Sequence, residues 1–354
     1  MRKESFAFLK QLLSTPSPSG FESKIQKVCR DYVEPYVDEV HKDVHGNQYH
    51  VKNPKGGLRV MLAGHVDEIA LLINHIDDKG YLGFQPIGGV DASVLDGQRV
   101  EIHADEGPVL GVIGRRAIHL MEERERGRAL PMHKLWIDIG AKSKKEALKH
   151  IALGDPATMA VTHIELLNGR FVARALDNRI GAFVVLEAMR LLAESSRDDG
   201  VAVHCVTTVQ EEIGLRGATT SAYTCDPHVG IAVDVAHATD HPDVDSKRYG
   251  FFELDKGPIL HRGANINPKV ARQLVDVAKK HKVPYQMNAV PRGTGTDANA
   301  MQIARGGVAT GLIGVPNRYM HSPVEMVSLK DAEHCATLLA HWIATLKPGM
   351  DFIP

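Results

Sequence analysis

The sequence predicts an α/β fold, a mixed sheet flanked by helices, with a small β-barrel or similar β-rich domain inserted into it. Three observations carry this reading. Apolar runs of strand length alternate with helical patterns along most of the chain. Between about residues 71 and 165 the texture changes to short apolar runs separated by Gly, Asp and Pro. The 354 residues, of which 44% are hydrophobic, are enough for about two domains at roughly 150 residues each.

The elements follow in order. Phe6, Leu9, Leu12 and Leu13 share one helical face, and the run stops at STPSPSG, where two prolines and a glycine break a helix. A second helix carries Ile25, Val28, Cys29 and Val33 inward. RVMLA (59–63) reads as a buried strand, GHVDEIA follows it, and ALLINHI resumes the strand pattern, so His65 and Asp67 stand at a strand end. GYLGF, QRVEI, VLGVIG and KLWIDIG supply the strands of the insertion. The boundaries expected are 1–70 and 166–354 for the two parts of the catalytic domain and 71–165 for the insertion.

ALDNRIGAFVVLEAMRLLAES then opens a helix with Ile180, Val184, Ala188, Leu191 and Leu192 on one stripe and Gly200 beyond its end. VAVHCVTTV, VGIAV and GVATGLIGV are buried strands. Asn267 and Pro268 are suited to N-cap and first position of the helix NPKVARQLVDVAKKH. The last helix is expected to be capped by Ser328 and to bury Cys335, Leu338, Leu339, Trp342, Ile343 and Leu346.

Composition excludes several function classes. A formal charge of -1, from 42 basic and 43 acidic residues, gives no drive toward nucleic acid or anionic membrane. The apolar positions of the N-terminus are interrupted by Lys10 and Gln11, which argues against a signal peptide or membrane span. Four cysteines without CxxC spacing read as buried or free thiols in a reducing cytoplasm.

Acidic residues and histidines recur where strands end or helices begin: His65 with Asp67, Asp177, the pair Glu211 and Glu212, Asp234, and His321. The carboxyl edge of an α/β sheet is where residues distant in sequence meet. Adjacent carboxylates in VTTVQEEIG repel at a core boundary unless compensated, and a divalent cation compensates them. Their side chains leave in different directions, so one can bind metal while the other faces a water. Each position taken singly also fits a plainer part: exposed glutamates on a turn, a structural His65, Asp177 as an N-cap, a paired or capping Asp234, a surface His321. Taken jointly, the nitrogen and oxygen donors suit two borderline cations sharing one carboxylate, with a glutamate left over as a base.

The order HVD, ALDNRIG, QEEIG, AVDVAH and RYMHSP, with STPSPSGFE before it and GTGTDANAMQ ahead of the last histidine, resembles the tetrahedral aminopeptidases. That family of cocatalytic di-metal peptidases includes glutamyl aminopeptidases and proteins labelled endoglucanase or cellulase M. The resemblance runs from about residue 5 to the final helix. It implies a zinc-peptidase-like, phosphorylase/hydrolase-like domain whose insertion is a barrel or PDZ-like. By it, His65 and Asp234 hold one metal, Glu212 and His321 the other, and Asp177 bridges them. Asp67 orients His65, and Glu211 is the general base.

Two divalent ions per chain are implied, zinc before cobalt. They activate a water whose proton Glu211 takes and returns to the leaving amine. An unprotonated α-amine that reaches one metal restricts cleavage to the N-terminal residue of short peptides. The resemblance also implies a cytoplasmic homo-oligomer, a tetrahedral dodecamer built from dimers, with the insertion serving assembly and access.

GTGTDAN (293–299) lacks the Lys of a phosphate-binding loop and reads either as pocket lining or as a glycine loop capped by Thr296 or Asp297. The charge runs EERERGR (122–128) and KSKKEALKH (142–150) read as solvated surface. Three rival functions remain. A di-metal carboxypeptidase or deacylase needs a cationic clamp that no residue clearly supplies. A glycosidase would use two carboxylates about 5 to 9.5 Å apart, but two Trp and 5% aromatic residues make a poor sugar platform. A structural protein braced by metals would leave Glu211 without a role.

Overall fold

The computed structural model describes residues 1–123, 130–195 and 200–354. Most of the EERERGR run lies outside these described residues. The chain divides into two compact units, one of Met1–Asp67, His163–Met320 and Val324–Pro354, the other of Glu68–Thr162 with His321–Pro323.

In the larger unit the described residues form an 11-stranded mixed sheet. Its order is β1 (Glu39–Lys42), β2 (Gln48–Lys52), β12 (Val201–Thr208), β3 (Leu58–His65), β13 (Val229–His237), β16 (Ala309–Arg318), β17 (Glu325–Ser328), β11 (Arg170–Ala173) and β10 (Ile164–Leu166). Strands β14 (Ile259–Gly263) and β15 (Gln286–Val290) branch from β16. The central four, β12, β3, β13 and β16, run parallel. Being covered on both faces, they read as continuous apolar runs instead of alternating ones.

Alternate residues of β3 enter opposite layers. Val60 and Leu62 join the core formed with α1 (Lys3–Ser14), α2 (Ser23–Val33), α4 (Leu176–Glu194), α7 (Pro268–His281) and α9 (Leu329–Ile343). Met61 and Ala63 join the core formed with α5 (Arg216–Cys225) and α8 (Asp297–Gln302). Asn267 caps α7 as its sequence predicts, its side chain accepting from the N–H groups of Lys269 and Val270. A short helix, α6 (Ser246–Tyr249), precedes β14. All four cysteines are buried and none is in a disulfide.

The smaller unit is a closed barrel in the order β4 (Ala70–Ile76), β5 (Leu82–Ile87), β8 (Trp136–Asp138), β7 (Gly107–Gly114), β6 (Arg99–Ala104) and β9 (Pro156–Met159). Every pairing in it is antiparallel. It is filled by its own apolar cluster, including Leu71, Ile73, Val100, Ile102 and Ile137. The KSKKEALKH run contains α3 (Lys144–Ala147), whose lysines are on the surface.

Two expectations need correcting. Helix α4 has no single apolar stripe, because every residue from Leu176 to Arg190 is buried. It lies between the sheet and the helices α1, α2 and α9, so both of its sides are covered. Its polar Glu187 is accommodated by Ser5, Tyr32 and Arg190. Ser328 stands at the N-cap of α9 but makes no capping bond. Its hydroxyl is given instead to Asp255.

Strand β3 and helix α4 pack backbone against backbone. A Cβ on Gly64 would come within 2.9 Å of Ala182 N and Gly181 C, and one on Gly181 within 2.6 Å of Val233 O. Only glycine lets the backbones approach this closely, and the contact carries His65 and Asp177 to one place. Gly64→Ala is therefore expected to cost about 1–3 kcal/mol, because backbone on both sides cannot yield. Denaturant midpoints measure it against Gly306→Ala, whose added methyl meets nothing within 4 Å.

Candidate metal and catalytic site

The carboxyl ends of the parallel strands bring the acidic residues of the larger unit together. Strand β3 ends at His65, which is in register with Thr208, the last residue of β12. Val66 N–H extends the ladder one step to Thr208 O, at 3.0 Å. The chain from β12 then turns through Gln210, in the left-handed region at φ 53°, and presents Glu211 and Glu212. Asp67 fixes that turn, its Oδ1 accepting from Glu211 N and its Oδ2 from Glu212 N, each at 3.1 Å. The exposed-turn alternative fails for Glu211, which is buried.

Asp177 stands in the first turn of α4, but its backbone is extended (φ -79°, ψ 106°), and the residue before the helix, left-handed Ala175, makes no side-chain cap. A capping bond at this point comes from the next residue, Asn178, whose Oδ1 accepts from Gly181 N–H at 3.0 Å. Asp177 N–H is held by Glu325 Oε2 at 2.8 Å, and the Asp177 carboxylate faces His65. Asp234 lies inside β13, not after it. Pairing of β13 with β3 ends at Ala232, while pairing with β16 continues to His237. The strand flank at Asp234 is thus left open on the β3 side.

His65 is the centre. Its Nε2 is 3.3 Å from Asp177 Oδ1 and 3.7 Å from both Glu211 Oε2 and Asp234 Oδ1. Its Nδ1 lies 3.4 Å from Asp67 Oδ1. Among the described residues, two groups have ligand atoms mutually within 4.8 Å: His65, Asp177 and Glu212, and His65, Glu211 and Asp234. His321 belongs to neither. It falls with the smaller unit, where its Nδ1 is 3.0 Å from Gly89 O.

Asp297 joins the constellation without having been singled out as a site residue. It is buried at the start of α8, and Thr208 Oγ1 donates to its Oδ2 at 2.6 Å. Neither Thr296 nor Asp297 caps α8 with its side chain. The available signal was an acid opening a short helix directly after a glycine-containing loop.

So many acids in one buried place cannot all be ionised without a cation. Burial pushes Glu211 up to about 10, Glu212 to about 9 and Asp234 to about 8, with neighbouring carboxylates adding to the rise and His65 opposing it. Burial likewise raises Asp297 to about 6. Burial alone would lower His65, but Glu211, Asp177, Asp67 and Asp234 together hold it well above its usual value. Imidazole nitrogen and carboxylate oxygen form a donor set suited to divalent zinc-like ions, whose charge would offset the burial.

The metal-free protein should lose stability as pH rises. The raised carboxyls stabilise it fully below their ordinary values near 4, and that contribution is lost as pH climbs through the raised ones; His65 acts in the same direction. Chelator-treated protein is expected to show a lower denaturant midpoint at pH 8 than at pH 5.5, and added zinc should remove the deficit.

Comparison with known proteins agrees with this geometry. The M42 glutamyl aminopeptidase family matches residues 46–338. The lysyl aminopeptidase of Pyrococcus furiosus is 39% identical over 350 residues, covering 98% of each chain. The crystal structure of a TET aminopeptidase from a marine sediment Thaumarchaeota archaeon superposes with a TM-score of 0.93 at 34% identity, covering 97% of each chain. The Pyrococcus horikoshii TET1 peptidase, described as able to assemble into a tetrahedron or a large octahedral shell, gives a TM-score of 0.84 at 32% identity, over 95% of this chain and 98% of its own.

Proposed function

The chain belongs to the M42 glutamyl aminopeptidase family and is a metal-dependent aminopeptidase, and we propose that it removes the N-terminal residue of short peptides with two metal ions and a glutamate base. The observation that carries the reading is His65 Nε2 within 3.7 Å of three carboxylates from three separate stretches of the chain. His65 and Asp234 would hold one ion and Glu212 the other, with Asp177 shared between them. His321 enters as the partner of Glu212 from its motif RYMHSP alone. Zinc or cobalt fits these donors. When bound, such ions acidify water and polarise a scissile carbonyl.

The residues of the chain do the rest. Asp67 orients His65 through Nδ1 and holds the amides of both glutamates, so three functional groups share one anchor. Glu211 takes the proton of the attacking water as the C–O bond forms and returns it to the leaving amine nitrogen as the C–N bond breaks. Metal charge beside it would lower the raised carboxyl toward the range in which it can both take and return a proton. On a panel of aminoacyl chromogenic substrates, Glu211→Gln should lose turnover by about 10²–10⁴-fold and retain metal. Glu212→Gln should lose metal affinity, and N-acetylated substrates should not be cleaved. Reversed phenotypes for the two variants would sink the assignment.

Residues 71–165 are proposed to serve assembly and access, in a dodecamer built from dimers that excludes folded proteins. Supporting this, the barrel unit exposes Leu110, Val112, Ile118 and Leu120, apolar side chains that a neighbouring subunit would cover. The P. horikoshii relative assembles into closed shells. Four buried, unbridged cysteines and the absence, among the described residues, of any helix long and apolar enough to cross a membrane accord with work in the cytoplasm. Light scattering is expected to report about twelve times the 38.7 kDa of one chain. A fully active monomer at micromolar concentration would contradict the role given to the insertion.

A further inference from the structure

The turn that carries the two glutamates is held from outside at three consecutive amides. Gln210 N donates to Glu22 Oε1 at 3.1 Å, and the next two N–H groups go to the two oxygens of Asp67. Glu22 is 6% exposed and precedes α2, and the same Oε1 also accepts from Gly20 N at 2.6 Å. Through this oxygen the STPSPSG loop is closed on itself and joined to the turn at Gln210.

The loop has a second anchor five residues earlier. Ser17 Oγ donates to Val66 O at 2.5 Å and accepts from Arg179 Nη2 at 2.8 Å, while Arg179 Nη1 donates to Leu13 O at 3.1 Å. One segment, residues 13–22, therefore touches the turn after β3, the first turn of α4 and the turn after β12. Those are the places where His65, Asp177 and the glutamate pair stand.

We propose that Glu22 is a positioning residue for Glu211 and Glu212, acting through the amide of Gln210 and not through its charge. The inference rests on the reading of Glu211 as base and Glu212 as ligand. A left-handed residue such as Gln210 reverses the chain only while its neighbouring peptides are fixed, because its own conformation is unfavourable for a side chain with a Cβ. Asp67 fixes the two amides after it, and Glu22 fixes the one at it. Gly217 N–H holds the carbonyl of the peptide before Gln210, Val209 O, at 2.9 Å, so losing the Glu22 acceptor leaves that peptide tied at one end only, and both carboxylates gain the freedom it gains.

Two conservative variants separate reach from charge. Glu22→Gln keeps an acceptor oxygen at full length without charge, whereas Glu22→Asp keeps the charge and draws it back by one methylene. Reach predicts that Glu22→Gln stays within about threefold of the unsubstituted enzyme, while Glu22→Asp lowers kcat by about 10–100-fold at nearly constant KM and weakens zinc binding, measured by competition with a chelator, by a similar factor. Glu22→Asp behaving as the unsubstituted enzyme, or Glu22→Gln falling as far as Glu22→Asp, would overturn the proposal.

Amide hydrogen exchange in the unsubstituted protein supplies a test that needs no variant. Gln210 N–H should exchange as slowly as those of Glu211 and Glu212, and rapid exchange at Gln210 alone would also overturn it. Glu211→Gln measured alongside tells the two readings apart. If it abolishes turnover while Glu22→Asp changes nothing, only the role of Glu22 falls; if it leaves turnover intact, the base assignment falls first.

Discussion

The contact of β3 with α4 at Gly64 and Gly181 is the constraint from which the site follows. Two backbones meet where side chains would ordinarily hold helix and sheet about 10 Å apart. Because His65 follows Gly64 directly and Asp177 lies one turn before Gly181, the close approach sets an imidazole and a carboxylate from distant stretches 3.3 Å apart. Asn178 reinforces it: its Nδ2 donates to Val233 O and its Oδ1 accepts from Gly181 N, tying the same turn to the strand that bears Asp234.

Around that contact the protein stores negative charge where water is scarce. Isolated buried carboxylates are expensive, and one histidine cannot neutralise four of them. Their raised pKa values express that cost as retained protons. A divalent ion bound there would replace those protons, so its binding would release them and its affinity would rise with pH. The backbone donors to Asp67 and Glu325 are N–H groups and take no part in that exchange.

Much of this was legible in the sequence because periodicity and chain order report directly on which residues are buried and where strands stop. His65, Asp67, Asp177, Glu211, Glu212 and Asp234 are all brought to one region, as their common place at element ends suggested. Single-residue hydrogen bonding was less legible. Ser328 has the right position to cap α9, yet a neighbouring carboxylate, Asp255, competes successfully for its hydroxyl. The stripe read in α4 was real as a pattern but understated a helix whose residues from Leu176 to Arg190 are all buried. Asp297 and Glu22 escaped notice as site residues because their importance comes from contacts with Thr208 and Gln210, each more than eighty residues away in sequence, and no local pattern encodes such partners.

The place of the insertion has a bearing on how the chain folds. Strand β3 pairs only with β12 and β13 among the described residues, and both are synthesised after residue 200. The barrel strands, all between Ala70 and Met159, find every one of their partners within that span. A growing chain can therefore complete the barrel while β3, apolar and with both edges open, still has nothing to pair with. For that interval it is the segment most exposed to wrong association. His65, the first of the clustered side chains to be made, joins the others only when the ribosome has delivered the strands made long after it.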